Sequence, residues 1–453
     1  MKEAEMNRYN VDGEELYNFN VDLSFPRRND GTEGHQKAID FIEKKLEDID
    51  VDYQEEEFFW KDLRKRRKLT RSLPMLILSL RLFIGAIMIF IHDPDIVYGF
   101  WWYVWFLEPA WVMIISATLL LVLFIIIYSD CVKPTAMELH RINNKYLKRR
   151  ERKKFKEKFN QGTNIVVRMG IDGTTDEAKA KNIPIIIIIA HYDSISVKFR
   201  PAVQNMLYAR IGTVPISSLL CFILLPVTMK IGAGNWLLII GTILLIISSG
   251  FSVFALIMGF FNKLTNQSPG AFDNASGCST LYGLIKALKL NQGEGELKAD
   301  IRLIFADCEE EGLMGTIEYL HTHEKELMNL DNKSRVKMVA LDGTGGKPTL
   351  GLFSSYGMPR VVRCGRVLKK EFKKLAKEQF GIDLKSLWSP YASSDHAVFG
   401  EYGFKAIQLF SMGMVSNTKY DTIENVNTET LALTTKVIVE FVLSNTNAKD
   451  KQF

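Results

Sequence analysis

The chain has 453 residues, of which 47% are hydrophobic and 24% charged, and it carries a formal net charge of +5 at pH 7. The length allows two domains or one enlarged domain, and the composition excludes general disorder and a collagen-like repeat. The net charge is small and concentrated in local Lys/Arg blocks, which argues against a nucleic-acid partner. Five cysteines without CxxC spacing indicate neither a disulfide framework nor a cysteine zinc site.

The first elements in chain order are a helix and a strand. Residues 36–46 have helical apolar spacing, and residues 51–59 alternate as a strand does. The N-terminal segment before them has no apolar core, so we do not expect a cleavable signal peptide.

Four apolar runs then interrupt the chain. Each has about the length needed to cross roughly 30 Å of hydrocarbon. They predict four transmembrane helices in two hairpins, hairpin one within 72–128 and hairpin two within 211–261, with spans at 72–91, 110–128, 211–229 and 236–261. The alternative is a set of buried core helices, which would demand an unusually large apolar core.

The distribution of charge predicts the orientation of these spans. Basic-rich segments at 61–71 and 141–158 flank hairpin one, whereas the charged residues of its connection are acidic, namely Asp93, Asp95 and Glu108. Positive residues stay on the cytoplasmic side, so we expect an integral membrane protein with both termini and the non-membrane domain in the cytoplasm. The basic segments also suit a lipid bilayer with anionic headgroups as partner.

The rest of the chain, residues 1–60, 130–205 and 264–453, predicts one discontinuous α/β domain. Strands are expected at 163–169, 183–190, 301–306 and 336–341, and a helix at 275–290. Residues 185–189 are five consecutive isoleucines, which indicates a strand buried on both faces. Alternating strands and helices imply a largely parallel sheet covered by helices.

Acidic groups and one imidazole follow these strands, where α/β folds place ligand sites. His191 and Asp193 lie two apart in IAHYDS and therefore share a face of an extended strand. Asp273 lies in GAFDNASG, at a helix start. The remaining two clusters are Glu309 and Glu310 in FADCEEEGLMGT, and Asp342 in VALDGTGG. Each cluster alone is weak evidence, because acidic residues at strand ends are usually solvated.

Taken together, the motifs HYD, DNASG, EExGL and LDG resemble the co-catalytic zinc exopeptidase family of the bacterial leucyl aminopeptidases and glutamate carboxypeptidase. The segments FPRRNDGTEGHQKAIDFIEKKL and SSDHAVFGEYGF resemble it too. The resemblance implies a three-layer α/β/α domain around a mixed, mostly parallel sheet.

The resemblance also implies residue roles and a peptide substrate. His191 and Asp342 would hold one zinc, Glu310 the other, and Asp273 would bridge both. Glu309 would be the general base on a metal-bound water, and Asp193 would orient His191.

One expected ligand departs from the family pattern. The family's HTxxDT motif supplies a last histidine ligand, and the corresponding stretch here begins with Asn417 and reads NTKYDT. Among the seven histidines, His396 is the remaining candidate for a substitute, with a substrate-side or structural role as the alternative. One or two zinc ions are therefore expected.

The sequence thus predicts a membrane-anchored zinc metallopeptidase of the aminopeptidase type. The alternative is a catalytically impaired pseudopeptidase that binds a peptide or protein partner at the membrane, because Asn417 weakens the metal site. Retention of Glu309 argues for the enzyme.

Overall fold

A computed structural model of the protein describes residues 11–61, 160–199 and 263–446, with gaps at 181, 295–296, 358–360, 390–393 and 414, together with Tyr9, His140, Asn144 and several positions between 240 and 261. The chain forms two compact units. Unit one comprises Met1–Asp62, Lys133–Val197 and Leu264–Phe453, and unit two comprises Leu63–Val132 and Lys198–Lys263.

The predicted membrane spans fall mostly outside this description. The runs at 72–91, 110–128 and 211–229 lie outside the described residues, as does most of 236–261. Among the helices that are described, none combines the length and the apolar character needed to cross a bilayer.

Unit one contains a mixed sheet. Its described strands are β1 (Gln54–Trp60), β2 (Asn160–Gly170), β3 (Ile185–His191), β4 (Asp300–Ala306), β5 (Val336–Leu341), β6 (Lys347–Tyr356), β7 (Val362–Arg363), β8 (Lys385–Ser389) and β9 (Lys405–Met412). They are ordered β1-β2-β4-β3-β5-β9-β6-β7, with β8 beside β6. The central strands β4, β3, β5 and β9 run parallel, whereas β1, β2 and β6 join the sheet antiparallel. The predicted mixed sheet is confirmed, and its parallel character is mainly a property of the centre.

Helices cover both faces of the sheet. The described α-helices are α1 (Gly13–Leu23), α2 (Glu33–Asp48), α3 (Asp176–Ala180), α4 (Ser276–Glu294), α5 (Met314–Thr322), α6 (Glu324–Leu327), α7 (Leu330–Arg335), α8 (Arg366–Phe380), α9 (His396–Glu401) and α10 (Thr428–Thr446). One apolar cluster joins α1, α2, α4, α8 and α10 to one face of the sheet, while α5 contacts β1 and β2, and α9 contacts β5 and β9.

Strand β3 lies at the centre of this arrangement. All seven of its residues are buried, as the isoleucine run predicts. Successive side chains of a strand point to opposite faces, and Ile186 and Ile188 accordingly belong to the large apolar cluster, whereas Ile187 and Ile189 are buried outside it. The chain leaves unit one after Val197 and returns at Leu264, and these two residues form an antiparallel bridge.

Candidate metal centre

His191 is the last residue of β3 and is almost completely buried. Its Nδ1 lies 3.2 Å from the backbone oxygen of Asp193 and 3.4 Å from the Oδ1 atom of that residue. Both neighbours are acceptors, so Nδ1 carries a proton and Nε2 is the nitrogen that faces the other acidic groups. Asp193 therefore contacts His191 in the way an orienting residue does.

Asp193 also holds the loop after β4. Its Oδ1 accepts a hydrogen bond from the backbone N–H of Glu309 at 3.0 Å, and its Oδ2 accepts one from Glu310 at 3.1 Å. These bonds and the contact with His191 keep the pKa of the buried Asp193 carboxyl below its ordinary value, although burial alone would raise it. One ionised carboxylate thus fixes His191 and the Glu309–Glu310 backbone relative to each other.

Asp273 lies in an irregular turn, Ala271–Ala275, that leads into α4. The backbone N–H groups of Phe272 and Asp273 donate to Oδ1 and Oδ2 of Asp421 at 2.7 and 3.0 Å. Burial, followed by the nearby Asp273 charge, raises the pKa of Asp421 to about 8. Asp421, 148 residues later in the sequence, therefore fixes the position of the Asp273 backbone.

Asp342 directly follows β5, and its Oδ2 accepts a hydrogen bond from Gln408 Nε2 at 3.1 Å. The Asn274 side chain connects this strand end to the Asp273 turn. Asn274 Nδ2 donates to the Leu341 carbonyl at 2.8 Å, and its Oδ1 accepts from the Gly343 N–H at 3.1 Å. Asp273 and Asp342 are thus brought to the same edge of the sheet.

Three carboxylates converge on Nε2 of the buried His191 ring. His191 Nε2 lies 3.3 Å from Asp273 Oδ1, 3.9 Å from Asp342 Oδ1 and 4.0 Å from Glu309 Oε2. Tetrahedral zinc with bonds of about 2.0–2.1 Å separates its ligand atoms by about 3.3 Å. The 3.3 Å between His191 Nε2 and Asp273 Oδ1 matches such a pair of ligand atoms, and Asp342 and Glu309 lie somewhat farther from the same nitrogen. His191, Glu309 and Asp342 also form a group whose ligand atoms all lie within 4.8 Å of one another.

The carboxylates of this cluster repel one another in the absence of a cation. Burial, and then the neighbouring acidic groups, raise the pKa values of Glu309 and Glu310 well above the ordinary range for a glutamate. Burial lowers the pKa of His191, but Glu309 and the aspartates around it raise that pKa more strongly. A divalent cation would relieve the repulsion between these carboxylates.

Two other predicted ligands, Glu310 and Asn417, each offer an oxygen atom. Glu310 Oε1 and Asn417 Oδ1 are both buried, and neither has a hydrogen-bond partner within the described chain. Asn417 has φ = 61°, a left-handed conformation that asparagine tolerates better than most residues. Burial raises the pKa of Asp273, whereas the neighbouring Ser416 side chain acts to lower it, so the loop after β9 lies near the Asp273 carboxyl.

His396 begins α9 and is fully buried. Burial lowers its pKa to about 4, so the ring is neutral. Neither ring nitrogen has a hydrogen-bond partner among the described residues, and the ring of Tyr356 lies edge-on at 5.8 Å between centroids. His396 is not part of the three-residue group around His191, and its role as ligand or substrate-side residue stays a prediction.

Arg28 is a residue that sequence reasoning missed. Its guanidinium is fully buried and donates to four backbone carbonyls, those of Leu23, Tyr192, Pro269 and Gly270. Tyr192 separates His191 from Asp193, and Gly270 precedes the Asp273 turn. Asn274, Asp421 and Gln408 were missed in the same way. They lie in or near the quoted motifs, but nothing local in those motifs indicates which backbone groups they contact.

Residues 255–442 match peptidase family M28. The matched range contains every predicted site residue except His191 and Asp193, which precede it.

Two curated relatives are aminopeptidases by name. The chain is 25% identical over 189 residues to a probable leucine aminopeptidase of Arthroderma benhamiae, a match that spans 40% of this chain and 49% of that protein. It is 34% identical over 139 residues to aminopeptidase YwaD of Bacillus subtilis, spanning 30% of this chain and 27% of that protein. The chain therefore spans half or less of the length of these relatives.

Among solved structures, BSAP, a zinc aminopeptidase from Bacillus subtilis, resembles the protein with a TM-score of 0.50 at 13% identity, covering 98% of this chain and 97% of that one. This similarity concerns the fold. The family match and the names of the two relatives support the exopeptidase resemblance.

Proposed function

We propose that the protein is a zinc-dependent metallopeptidase of the aminopeptidase type. The observation that carries the proposal is the convergence of Asp273, Asp342 and Glu309 on His191 Nε2, at 3.3 to 4.0 Å, in a buried position. The match of residues 255–442 to peptidase family M28 supports the same conclusion.

We assign the residue roles as the resemblance implies, and their contacts support the assignment. His191, Asp273 and Asp342 would hold the zinc ion, and Asp193 would keep the His191 ring in its orientation through Nδ1. When bound, zinc supplies Lewis-acid chemistry that acidifies a water molecule and polarises the scissile carbonyl.

We assign the proton transfer to Glu309. Its Oε2 lies beside the proposed zinc position, and its backbone N–H is held by Asp193. A carboxylate in that position can accept a proton from a water molecule. Glu309 would accept the proton of the attacking water and donate it to the leaving amine.

The test compares full-length wild type with Glu309→Gln, both loaded with zinc, for release of a free amino acid from an aminoacyl anilide. General-base catalysis contributes about 10²- to 10⁴-fold, so we expect a loss of that size with unchanged zinc content. Glu57→Gln, at an exposed position of β1, is the matched control and should behave as wild type. Equal rates in wild type and Glu309→Gln would contradict the role of Glu309 as general base. If zinc-loaded wild type hydrolyses no substrate, the pseudopeptidase alternative is favoured.

We also propose that the runs at 72–91, 110–128, 211–229 and 236–261 anchor the protein in a lipid bilayer, with both termini and the peptidase domain in the cytoplasm. The apolar length of these runs and the basic segments around hairpin one support this. The full-length protein should stay with the membrane fraction after alkaline carbonate extraction. Release into the supernatant would contradict the anchoring.

A further inference from the structure

Helix α8 has one apolar face and one basic face. Its buried side chains, Leu368, Phe372 and Ala376, recur at every fourth residue and belong to the apolar cluster of the domain. The helix contains six basic and two acidic residues and so carries a net charge of +4, whereas the whole chain carries +5. Helix α8 therefore concentrates positive charge on the surface of the α/β domain.

The basic side chains follow one line along the helix. Arg366, Lys370 and Lys374 are four residues apart and all exposed, so they are neighbours on one face, where like charges repel one another and weaken the helix. Glu378 forms an exposed pair with Lys374 at 4.0 Å. Within the described part of the chain, neither Arg366 nor Lys370 has an ion-pair partner. A helix face in water commonly carries pairs of opposite charge, so this face suits an anionic partner.

Apolar side chains are exposed beside these charges. Val367 lies on the same part of the helix and is 65% exposed. Lys373 Nζ lies 3.4 Å from Ser386 Oγ, so β8 is next to α8, and the two residues that follow on β8, Leu387 and Trp388, are 37% and 44% exposed. Tryptophan and aliphatic side chains among lysines are typical of a surface that lies at a membrane interface. A nucleic acid would satisfy the charges, but it offers no hydrocarbon to Val367 and Leu387.

We propose that a surface of unit one, the α8 face, binds the anionic headgroups of a lipid bilayer. The α8 face consists of the exposed residues Arg366, Lys370, Lys374, Lys377 and Trp388. Each basic residue close to an anionic leaflet strengthens membrane binding about fivefold, and the headgroups supply the negative charge that this face lacks. The proposal goes beyond the proposed function, because it needs neither a metal ion nor hydrolysis.

The experiment measures how fast an amine-reactive ester labels individual lysines of the full-length protein, with mass spectrometry as the readout. The protein is reconstituted in nanodiscs of phosphatidylcholine, either alone or with about 30% phosphatidylglycerol as the anionic lipid. We expect Lys370, Lys374 and Lys377 to be labelled about fivefold more slowly with the anionic lipid, and about 0.5 M salt to restore the rates, because salt screens the attraction. Lys325, exposed on α6, is the internal control and should be labelled equally in both kinds of nanodisc.

Variants of the α8 face sharpen the test, with the labelling of Lys377 as the readout. The double variant Lys370→Glu, Lys374→Glu reverses two charges and should abolish the effect of the anionic lipid. The double variant Lys370→Arg, Lys374→Arg keeps both charges and should behave as wild type. Lys325→Glu is the matched control for a charge reversal at an exposed position. All these positions are exposed, so the variants should keep the Tm of wild type.

Three outcomes overturn the proposal. Equal labelling of the α8 lysines in both kinds of nanodisc contradicts it, and so does protection that persists in the double glutamate variant. Protection by added RNA that exceeds the protection by anionic lipid would assign the α8 face to a nucleic acid instead. Loss of zinc or of hydrolysis contradicts the proposed function alone, and release on carbonate extraction contradicts only the anchoring by the apolar runs.

Discussion

Replacement of Arg28 tests how the N-terminal segment supports the metal centre. Arg28 Nε donates to the Tyr192 carbonyl at 2.8 Å, Nη1 to Pro269 at 2.8 Å and to Leu23, and Nη2 to Gly270 at 3.0 Å. The guanidinium thus joins the backbone beside His191 to the backbone that leads into the Asp273 turn.

The stability lost on replacing Arg28 depends on which of its four partner carbonyls keep another hydrogen-bond donor. The Leu23 carbonyl also accepts from the Phe25 N–H at 3.0 Å, and the Gly270 carbonyl from Ala275 at 2.9 Å. Those of Tyr192 and Pro269 have no second donor among the described residues. A buried carbonyl without a donor costs about 1–3 kcal/mol, so Arg28→Met should lower the free energy of unfolding by about 2–6 kcal/mol.

Denaturant unfolding of the full-length protein measures this loss, and zinc titration measures its effect on the site. We expect Arg28→Met to weaken zinc binding more than tenfold, and Arg28→Lys to fall between it and wild type, because lysine keeps the charge but not the planar fork. Arg27→Met, at the exposed neighbouring position, is the control. If Arg28→Met is as stable as Arg27→Met and binds zinc with wild-type affinity, the positioning role is refuted.

Three further predictions concern stability. Burial and the adjacent Glu55 raise the pKa of Glu43 from 4.5 to about 7, so the folded state loses stability as the pH rises from 4.5 through about 7. Glu43→Gln should therefore raise Tm relative to wild type at pH 8 but not at pH 4, and an equal effect at both pH values would contradict this. Asn274→Ala removes the buried bonds to Leu341 and Gly343 and should cost about 3 kcal/mol in urea unfolding, and a loss below 1 kcal/mol would refute the link. Zinc at 100 times its Kd should stabilise the folded protein by about 2.7 kcal/mol, and a Tm that a chelator leaves unchanged would contradict the metal site.

Several parts of the fold could be predicted from short stretches of sequence. The isoleucine run predicts β3, and residues 336–341 form β5 as expected. The expected boundaries differ elsewhere by a few residues, as at β1, which begins at Gln54 rather than at residue 51. Such errors arise because the end of a strand depends on its partner, and β1 ends where its pairing with β2 ends.

The order of the strands could not be predicted in this way. Strand β9 comes last along the chain but lies between β5 and β6, pairing parallel with one and antiparallel with the other. Nothing in the residues of β9 specifies these neighbours, because pairing depends on how the helices between the strands cover the two faces. A mixed sheet was expected, but which of its strands run antiparallel could not be predicted for the same reason.

The sequence by itself determined which chemical groups are available: one imidazole and several carboxylates at strand ends, and an asparagine where a family histidine is expected. Only the tertiary structure decided that His191, Asp273, Asp342 and Glu309 meet, and that Asp421, Asn274 and Arg28 hold the backbone around them. The physical reason is the distance along the sequence over which each interaction acts. The patterns that predict strands and motifs lie within a few residues of one another. The hydrogen bond from the Asp273 N–H to Asp421 joins positions 148 residues apart, so it forms only when the chain is folded.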